Sequence, residues 1–503
     1  MISIGFLRWF CNLQRGEIQL LLAARGIHIS TGEISNLSEE FLLRFYVLHR
    51  KHVPELKTVF ERKTGMVLHL DGTGETGDDI VFSAKDGITG ITVDAQIMPS
   101  ESKKYLTPFL ERLRGSVGIP IVVLRDMSSQ IRDAVLEIFP DVLQLICHYH
   151  FVKNLGKILF NERYETLRNF IVDTEILSRL AVLKEKALND DVSSDMLVMG
   201  ERAWVALAVE YLLWPREIAS GYPFVLPYFE IMNRAVEIGG WVKRIIRWNA
   251  GHNLAVHAVL ELSERMDQLK KTKQVMQQYY QVERIFGWFE AVRRILDVSR
   301  HLSDNGQKNE PLDIKKVKEQ MEQTLDRIER EGNELDGEFH AVAKNIRGQF
   351  QGHWDELFTE VYDRKGNPVE IVRHNGIEER SHRWSRMHTR RRTGRSGTTN
   401  DMAKYGALLA VLSNLENKTY VDEVLLDVKD FVYEMQNITS EEINDAKKLM
   451  KIHSRKQIVR SDKTRVSLLR EFVDLLECSG EQNDGALEGW LCKLTKSNLR
   501  MTP

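Results

Sequence analysis

Hydrophobic positions in the first sixty or so residues recur at helical spacing. Ile18, Leu21 and Leu22 form one group, Gly26 interrupts it, and Ser30 or Thr31 can cap a second helix carrying Ile34, Leu37, Phe41, Leu42 and Phe45. Helix, short glycine turn and second helix make the outline of a helix-turn-helix, or equally of an ordinary helical hairpin. From Met66 the period shortens. MVLHLD, DIVFSA and ITVDAQIM are β-rich runs separated by turns bearing Gly and Asp. A helix follows, with Tyr105, Leu106, Phe109, Leu110 and Leu113 on one face. IPIVVLRD is then nearly continuous in apolar residues, as a strand buried on both faces requires. Ile131, Ala134, Val135 and Ile138 mark another amphipathic helix, LQLIC a fifth strand, and Phe151, Leu155, Ile158 and Leu159 the helix after it. This order predicts the α/β class, a mixed five-stranded sheet with flanking helices.

Between about Phe160 and Val361 strand signals vanish, which predicts a large all-α insertion. Six of the nine tryptophans fall there, Trp241 and Trp248 among them, so the stretch has the aromatic content for its own core. Charges from Leu312 to Phe350 alternate in sign, as on the exposed faces of long helices. Five segments are expected. They are a helical N-terminal region (1–62), the first part of the α/β core (63–160), the all-helical insertion (161–370), the last part of the core (371–420) and a charged helical C-terminal region (421–503).

Composition narrows the class without naming a task. The chain has 503 residues, 43% apolar and 28% charged, which suits a multi-domain globular protein with ample core. No run approaches the roughly eighteen apolar residues of a membrane span. The apolar N-terminus is broken by Arg8 and lacks a basic leader, so no signal peptide is expected. Four cysteines without a CxxC pair exclude a disulfide scaffold. A cytosolic protein is the expectation. The net charge of −2 argues against a polybasic nucleic-acid binder when read globally.

Two acids stand out by position. Asp71 ends the first strand in HLDGT, and Asp126 ends the fourth in VVLRDMSSQ. If those strands are neighbours, both carboxylates emerge side by side, where they repel unless a cation lies between them. All-oxygen donors with room for water favour Mg²⁺, or Mn²⁺ in its place. A third acid is expected from a helix in HNGIEERSHRW, where Glu378 and Glu379 both qualify; Glu379 also suits an ion pair with Arg383. Around them, Arg373 to Arg395 holds eight arginines against two glutamates, a local +6 hidden by the global balance. Arg380, Arg383, Arg386, Arg390, Arg391, Arg392 and Arg395 form a candidate track for a DNA backbone, since guanidinium groups bind phosphate bidentately. A second cluster, Lys447 to Arg470, reads either as a DNA-contacting arm or as an exposed helix. Cys147 and His150 in ICHYHFVKN have CxxH spacing with no matching second half, so the pair is expected to close a strand-to-helix corner rather than hold zinc. His148 and Asn154 are candidates to face the same edge.

Taken together, HLDGT, LRDMSSQIRDAVLEIFPDV, ICHYHFVKNL and HNGIEERSHRWSRMHTRRRTGR, in that order, resemble the blocks of DDE transposases with an RNase H-like catalytic core. The resemblance is to Mutator-like elements and the related prokaryotic insertion-sequence transposases, and covers about Met66 to Asn417. It implies a Mg²⁺-dependent enzyme that cuts double-stranded DNA at the terminal inverted repeats of an element and joins the 3′-hydroxyls to target DNA. It further implies a metal-binding triad of Asp71, Asp126 and Glu378, the last preferred because it follows Asn375 by three positions. A homodimer or larger assembly on DNA, and a nucleoid or nuclear location according to the host, are also implied. In such enzymes an aromatic residue of the helical insertion can stack on a flipped base, which makes Trp241 and Trp248 candidates, beside the ordinary reading of a tryptophan as core.

Overall fold

The computed structural model describes residues 1–74, 79–189, 196–217, 221–250, 257–299, 311–335, 337–395, 397–425 and 428–448. They fall into two compact units: Met1–Cys147 with Asn309–Leu312 and Glu360 onward, and His148–Lys308 with Asp313–Thr359. The second basic cluster lies, but for Lys447 and Lys448, outside the described residues, as does most of the region 421–503.

The first unit opens with helices α1 (Ile2–Trp9), α2 (Arg15–Ala23) and α3 (Thr31–Lys63). Ser30 caps α3, its hydroxyl accepting from the Glu33 N–H at 3.0 Å, and Gly26 takes the positive φ of 76° that the turn needs. The helix–turn–helix outline is therefore present, but the region is not a separate module. Val53, Leu56, Val59 and Phe60 carry the apolar stripe of α3 through all of its 33 residues. Phe41, Leu42 and Phe45 join the same core as the sheet.

Strands β1 (Val67–Thr73), β2 (Ile80–Asp86), β3 (Thr92–Met98), β4 (Val122–Arg125) and β5 (Leu143–Ile146) form one mixed sheet in the order β3-β2-β1-β4-β5. Strand β2 is antiparallel to both neighbours, and β4 is parallel to β1 and β5. The continuous apolar run of β4 follows from its central place: Val122, Val123 and Leu124 have no exposure. Helices α4 (Lys103–Val117) and α5 (Ser129–Ile138) carry the intervening connections. On one face Phe82 meets Phe109 of α4 edge-on, ring centroids 5.4 Å apart. Strand β3 ends the sheet, and side chains take the place of a further strand: His49 bonds to the Val93 carbonyl and Asn414 pairs with both backbone groups of Thr92.

The second unit is helical: α6 (His148–Asp173), α7 (Ile176–Asn189), α8 (Met196–Leu213), α9 (Pro227–Asn249), α10 (His257–Lys271), α11 (Lys273–Ile295), α12 (Ile314–Glu334) and α13 (Gly337–Phe358). Phe160 of α6 meets Phe289 of α11 edge-on at 5.4 Å. The sign-alternating stretch becomes the pair α12 and α13. Arg347 lies across it, 2.8 Å from Glu322 and 3.0 Å from Glu329. The helical segment is displaced toward the N-terminus from the expected 161–370. It begins at His148, because α6 continues straight out of the predicted corner, and it ends at Thr359. A two-stranded hairpin, β6 (Val361–Tyr362) with β7 (Pro368–Val369), follows where helix was expected. Strands of two residues are too short to leave an alternating pattern.

The chain then returns to the first unit with α14 (Gly376–Thr393), α15 (Thr399–Leu412), α16 (Lys418–Glu423) and α17 (Val428–Asn437). Among the described residues no helix is long and apolar enough to cross a membrane.

Helix α3 also holds α17. Arg44 donates to the Met435 and Ile438 carbonyls, and His52 bonds to Glu434 and to Glu55. Burial alone would lower the His52 pKa, but the two carboxylates raise it above its ordinary 6.5. A raised histidine stabilises the fold fully below 6.5, and the contribution is lost as pH rises through the folded value. His52→Gln should therefore lower the melting temperature most below about pH 6, with the difference shrinking in alkaline buffer. Parallel thermal melts of both proteins across pH would check this.

Candidate active site

The register of the sheet assembles the site. Val67, Leu68 and His69 pair with Val122, Val123 and Leu124 in parallel, so Asp71 and Asp126 fall level on neighbouring strands and on one face. On the other side of β1, Asp71 faces Ser83 and His69 faces Lys85. Asp126 follows the end of β4 and accepts the Ser128 N–H through Oδ1 at 2.7 Å. Buried Arg125 fixes the turn, donating to Gln144 and to the Asp126 carbonyl. The sequence pattern anticipated this juxtaposition of two aspartates.

Helix α14 crosses the same face. Its first residues are pinned by Asn375, whose side chain donates to the Leu70 carbonyl (3.0 Å) and whose N–H donates to Cys147 Sγ (3.2 Å). Cys147 thus serves the start of α14 as an acceptor. Asn375 reaches the end of β5 from far along the chain, a contact that the CxxH spacing does not signal. His150 and His148 belong to the helical unit, where His148 Nε2 bonds to the Leu357 carbonyl (3.1 Å). Asn154, half-buried, lies on α6 of the same helical unit.

The inward face of α14 is polar: Glu378, Ser381, His382, Ser385, Thr389 and Arg392 are all buried. Glu378 has no exposure; its Oε2 accepts from Ser83 Oγ at 2.7 Å, and Oε1 has no hydrogen-bond partner. Burial pushes its carboxyl up to about 7, against the pull of Lys85 and Ser83. His382, one turn on, brings Nε2 to 3.8 Å from Asp71 Oδ2. Burial, then the charges of Lys85 and Arg386, push His382 down to about 3, so it is neutral. Glu379 is half-exposed.

Asp71 carries the electrostatic cost of this cluster. Burial raises its pKa well above the ordinary value, and the charges of Glu379, Glu378, Asp126 and Glu101 raise it further. Glu101 was not singled out in the sequence. It lies between β3 and α4, where nothing in the pattern distinguishes it from a solvated loop acid. Burial and Asp126 push it up to about 7. Gly72 makes room for it: a Cβ there would stand 2.1 Å from Glu101 Oε1. Strand β1 does not end at Asp71 as expected but runs on to Thr73, and the glycine directly after Asp71 was the available signal.

The donor chemistry fits a hard divalent cation, being all oxygen, mutually repelling and including the unpartnered Glu378 Oε1. Yet among the described residues no three Asp, Glu, His or Cys side chains converge closely enough to enclose a metal ion. Glu378 is turned toward Ser83, and its rival Glu379 exerts the larger charge effect on Asp71.

The arginine track divides. Arg383, Arg390, Arg391 and Arg395 are exposed, and Arg380 is half-buried. Arg386 donates to Thr73 Oγ1 at the end of β1 (2.6 Å). Arg392 departs from the expected track: it is buried, with its guanidinium 4.1 Å from the Trp9 ring centre. Helical spacing turns it inward, under α1. Trp241 and Trp248, on α9, are 38% and 52% exposed, so neither is core.

No protein-family model and no curated protein sequence matches the chain.

Asp71→Asn removes a buried charge from among four other carboxylates. Without added metal it should raise stability by about 1–2 kcal/mol, a few degrees in melting temperature. Thermal melts in chelator compare it with the wild type; a lower melting temperature for the variant would contradict the assignment of repulsion at Asp71.

Proposed function

We propose that the chain is a DDE transposase with an RNase H-like core, cutting DNA at element ends and joining the freed 3′-hydroxyls to target DNA. The observation that carries this reading is the register that brings Asp71 level with Asp126 on adjacent parallel strands, with α14 crossing the same face. The sheet order, with only β2 reversed, suits the RNase H-like core that the sequence resemblance implies.

In this reading Asp71 and Asp126 hold the cation, with Glu378 or Glu379 as third ligand. Bound Mg²⁺ supplies Lewis-acid polarisation and a more acidic water or hydroxyl. The chemistry asked of the site is in-line attack by a water or 3′-hydroxyl oxygen on phosphorus, with departure of the opposite ester oxygen. Neutral His382 limits the positive charge beside Asp71 and leaves the carboxylate free to act as a donor. Arg386, tied to Thr73, stiffens the end of β1. Arg383, Arg390 and Arg391 contact the phosphate backbone. Trp241 and Trp248, exposed beside Arg244 and Arg247, have the accessibility that stacking on a base needs.

A second reading is a transposase-derived protein that binds DNA without cutting it. The contact of Glu378 with Ser83 favours it, since that carboxylate is engaged away from the aspartates.

Cleavage of a duplex carrying the element's own terminal repeat separates the two. With Mg²⁺ or Mn²⁺ the wild type should cut, and Asp71→Asn and Asp126→Asn should lose about a hundredfold or more. Glu378→Gln and Glu379→Gln then identify the third ligand by which of them loses activity. Binding without cleavage under every metal condition would select the second reading. In the same system Arg383, Arg390 and Arg391, each changed to Gln, should weaken binding and lower the salt slope by about one per arginine. Unchanged slopes would remove these arginines from the interface.

A further inference from the structure

A concentration of positive charge facing a cavity in the first unit lies away from the aspartates, at the other end of α14. A cavity of about 490 Å³ is lined there by Arg8 of α1, Arg15 of α2, and Arg392 and Arg395 at the end of α14, with Asp401 the sole acid among its lining residues. Hydroxyls of α3, Ser35 among them, complete a polar wall. Asp401 pairs with Arg392 at 3.9 Å and offsets one of the four guanidinium charges, which leaves the lining with a net excess of three positive charges.

Two of the arginines are built in rather than solvated. Arg392 is 2% exposed, its plane over Trp9, its Nη2 on Thr389 Oγ1 at 3.3 Å, and its buried Nη1 without a hydrogen-bond partner. Arg8 donates to the Leu13 and Arg392 carbonyls. Burial, then the neighbouring guanidinium in each case (Arg15 for Arg8, Arg8 for Arg392), pushes both down to about 10. Clustered arginines with an unused buried donor cost free energy unless an anion completes them.

We propose that this cavity is a phosphate-binding site. Guanidinium forks match the paired oxygens of a phosphoryl group. The cavity is of ligand size, larger than a single phosphate fills, so linked phosphates suit it best. They come either from consecutive positions of a DNA backbone or from a free polyphosphate. The proposal does not depend on the carboxylates cutting DNA.

The test uses the full chain in chelator, which silences the aspartate site. Inorganic pyrophosphate is titrated by calorimetry, and a labelled short duplex by fluorescence anisotropy. Arg15→Gln with Arg395→Gln alters only exposed side chains, which protects the fold; it should weaken pyrophosphate at least tenfold, whereas Asp401→Asn should tighten it several-fold. If the arginine pair also weakens the duplex and pyrophosphate competes with it, the natural phosphate is DNA backbone. If duplex binding is unaffected while pyrophosphate binding falls, the ligand is a free polyphosphate. No pyrophosphate binding, or binding indifferent to all three substitutions, overturns the proposal. In a separate assay with Mg²⁺, cleavage retained by the arginine pair despite lost pyrophosphate binding separates this site from the aspartate site.

Discussion

The parallel pairing of β1 with β4 is the constraint on which the rest depends. It sets two aspartates level on one face, where burial and the charges of neighbouring carboxylates make Asp71 expensive. A fold that placed such groups together by accident would gain by losing one. The surroundings instead support the cluster: Arg125 fixes the turn after β4, Gly72 leaves space for Glu101, and Asn375 pins α14 to the Leu70 carbonyl. Stored electrostatic strain held by a well-packed frame is what supports the proposed reading of a cation-dependent site.

Helix α14 is the second structural necessity. Its buried face is polar for its whole length, from Glu378 at the sheet to Arg392 under Trp9. One helix therefore serves two places, a carboxylate cluster at its start and an arginine cluster at its end. The N-terminal helices close the second of these, which accounts for their being packed into the α/β core instead of standing apart.

Much of the sheet was legible because its strands are short β-branched runs bounded by turn residues, and because β4, buried on both faces, is apolar throughout. Asp71 and Asp126 were legible for the same reason, as acids at the ends of such runs. The inward face of α14 was not. Apolar periodicity is blind to a helix that buries serine, histidine, glutamate and arginine, so Arg392 read as one more member of an exposed stripe and His382 passed unnoticed. Glu101 was hidden in a loop whose only clue was a glycine on another strand. Cys147 accepts from Asn375, some 228 positions away, a distance no local spacing can encode. The helical segment was recognised, but its edges fall elsewhere, at His148 and Thr359, where α6 starts directly after β5 and a hairpin with two-residue strands leaves no period.

The most direct test of the central claim is Mn²⁺ binding followed by electron paramagnetic resonance on the full chain. Saturable binding displaced by Mg²⁺, and lost in Asp126→Asn while the fold is retained, is the expected result. Mn²⁺ that stays free at all concentrations, or binds equally well to Asp126→Asn, would contradict the account.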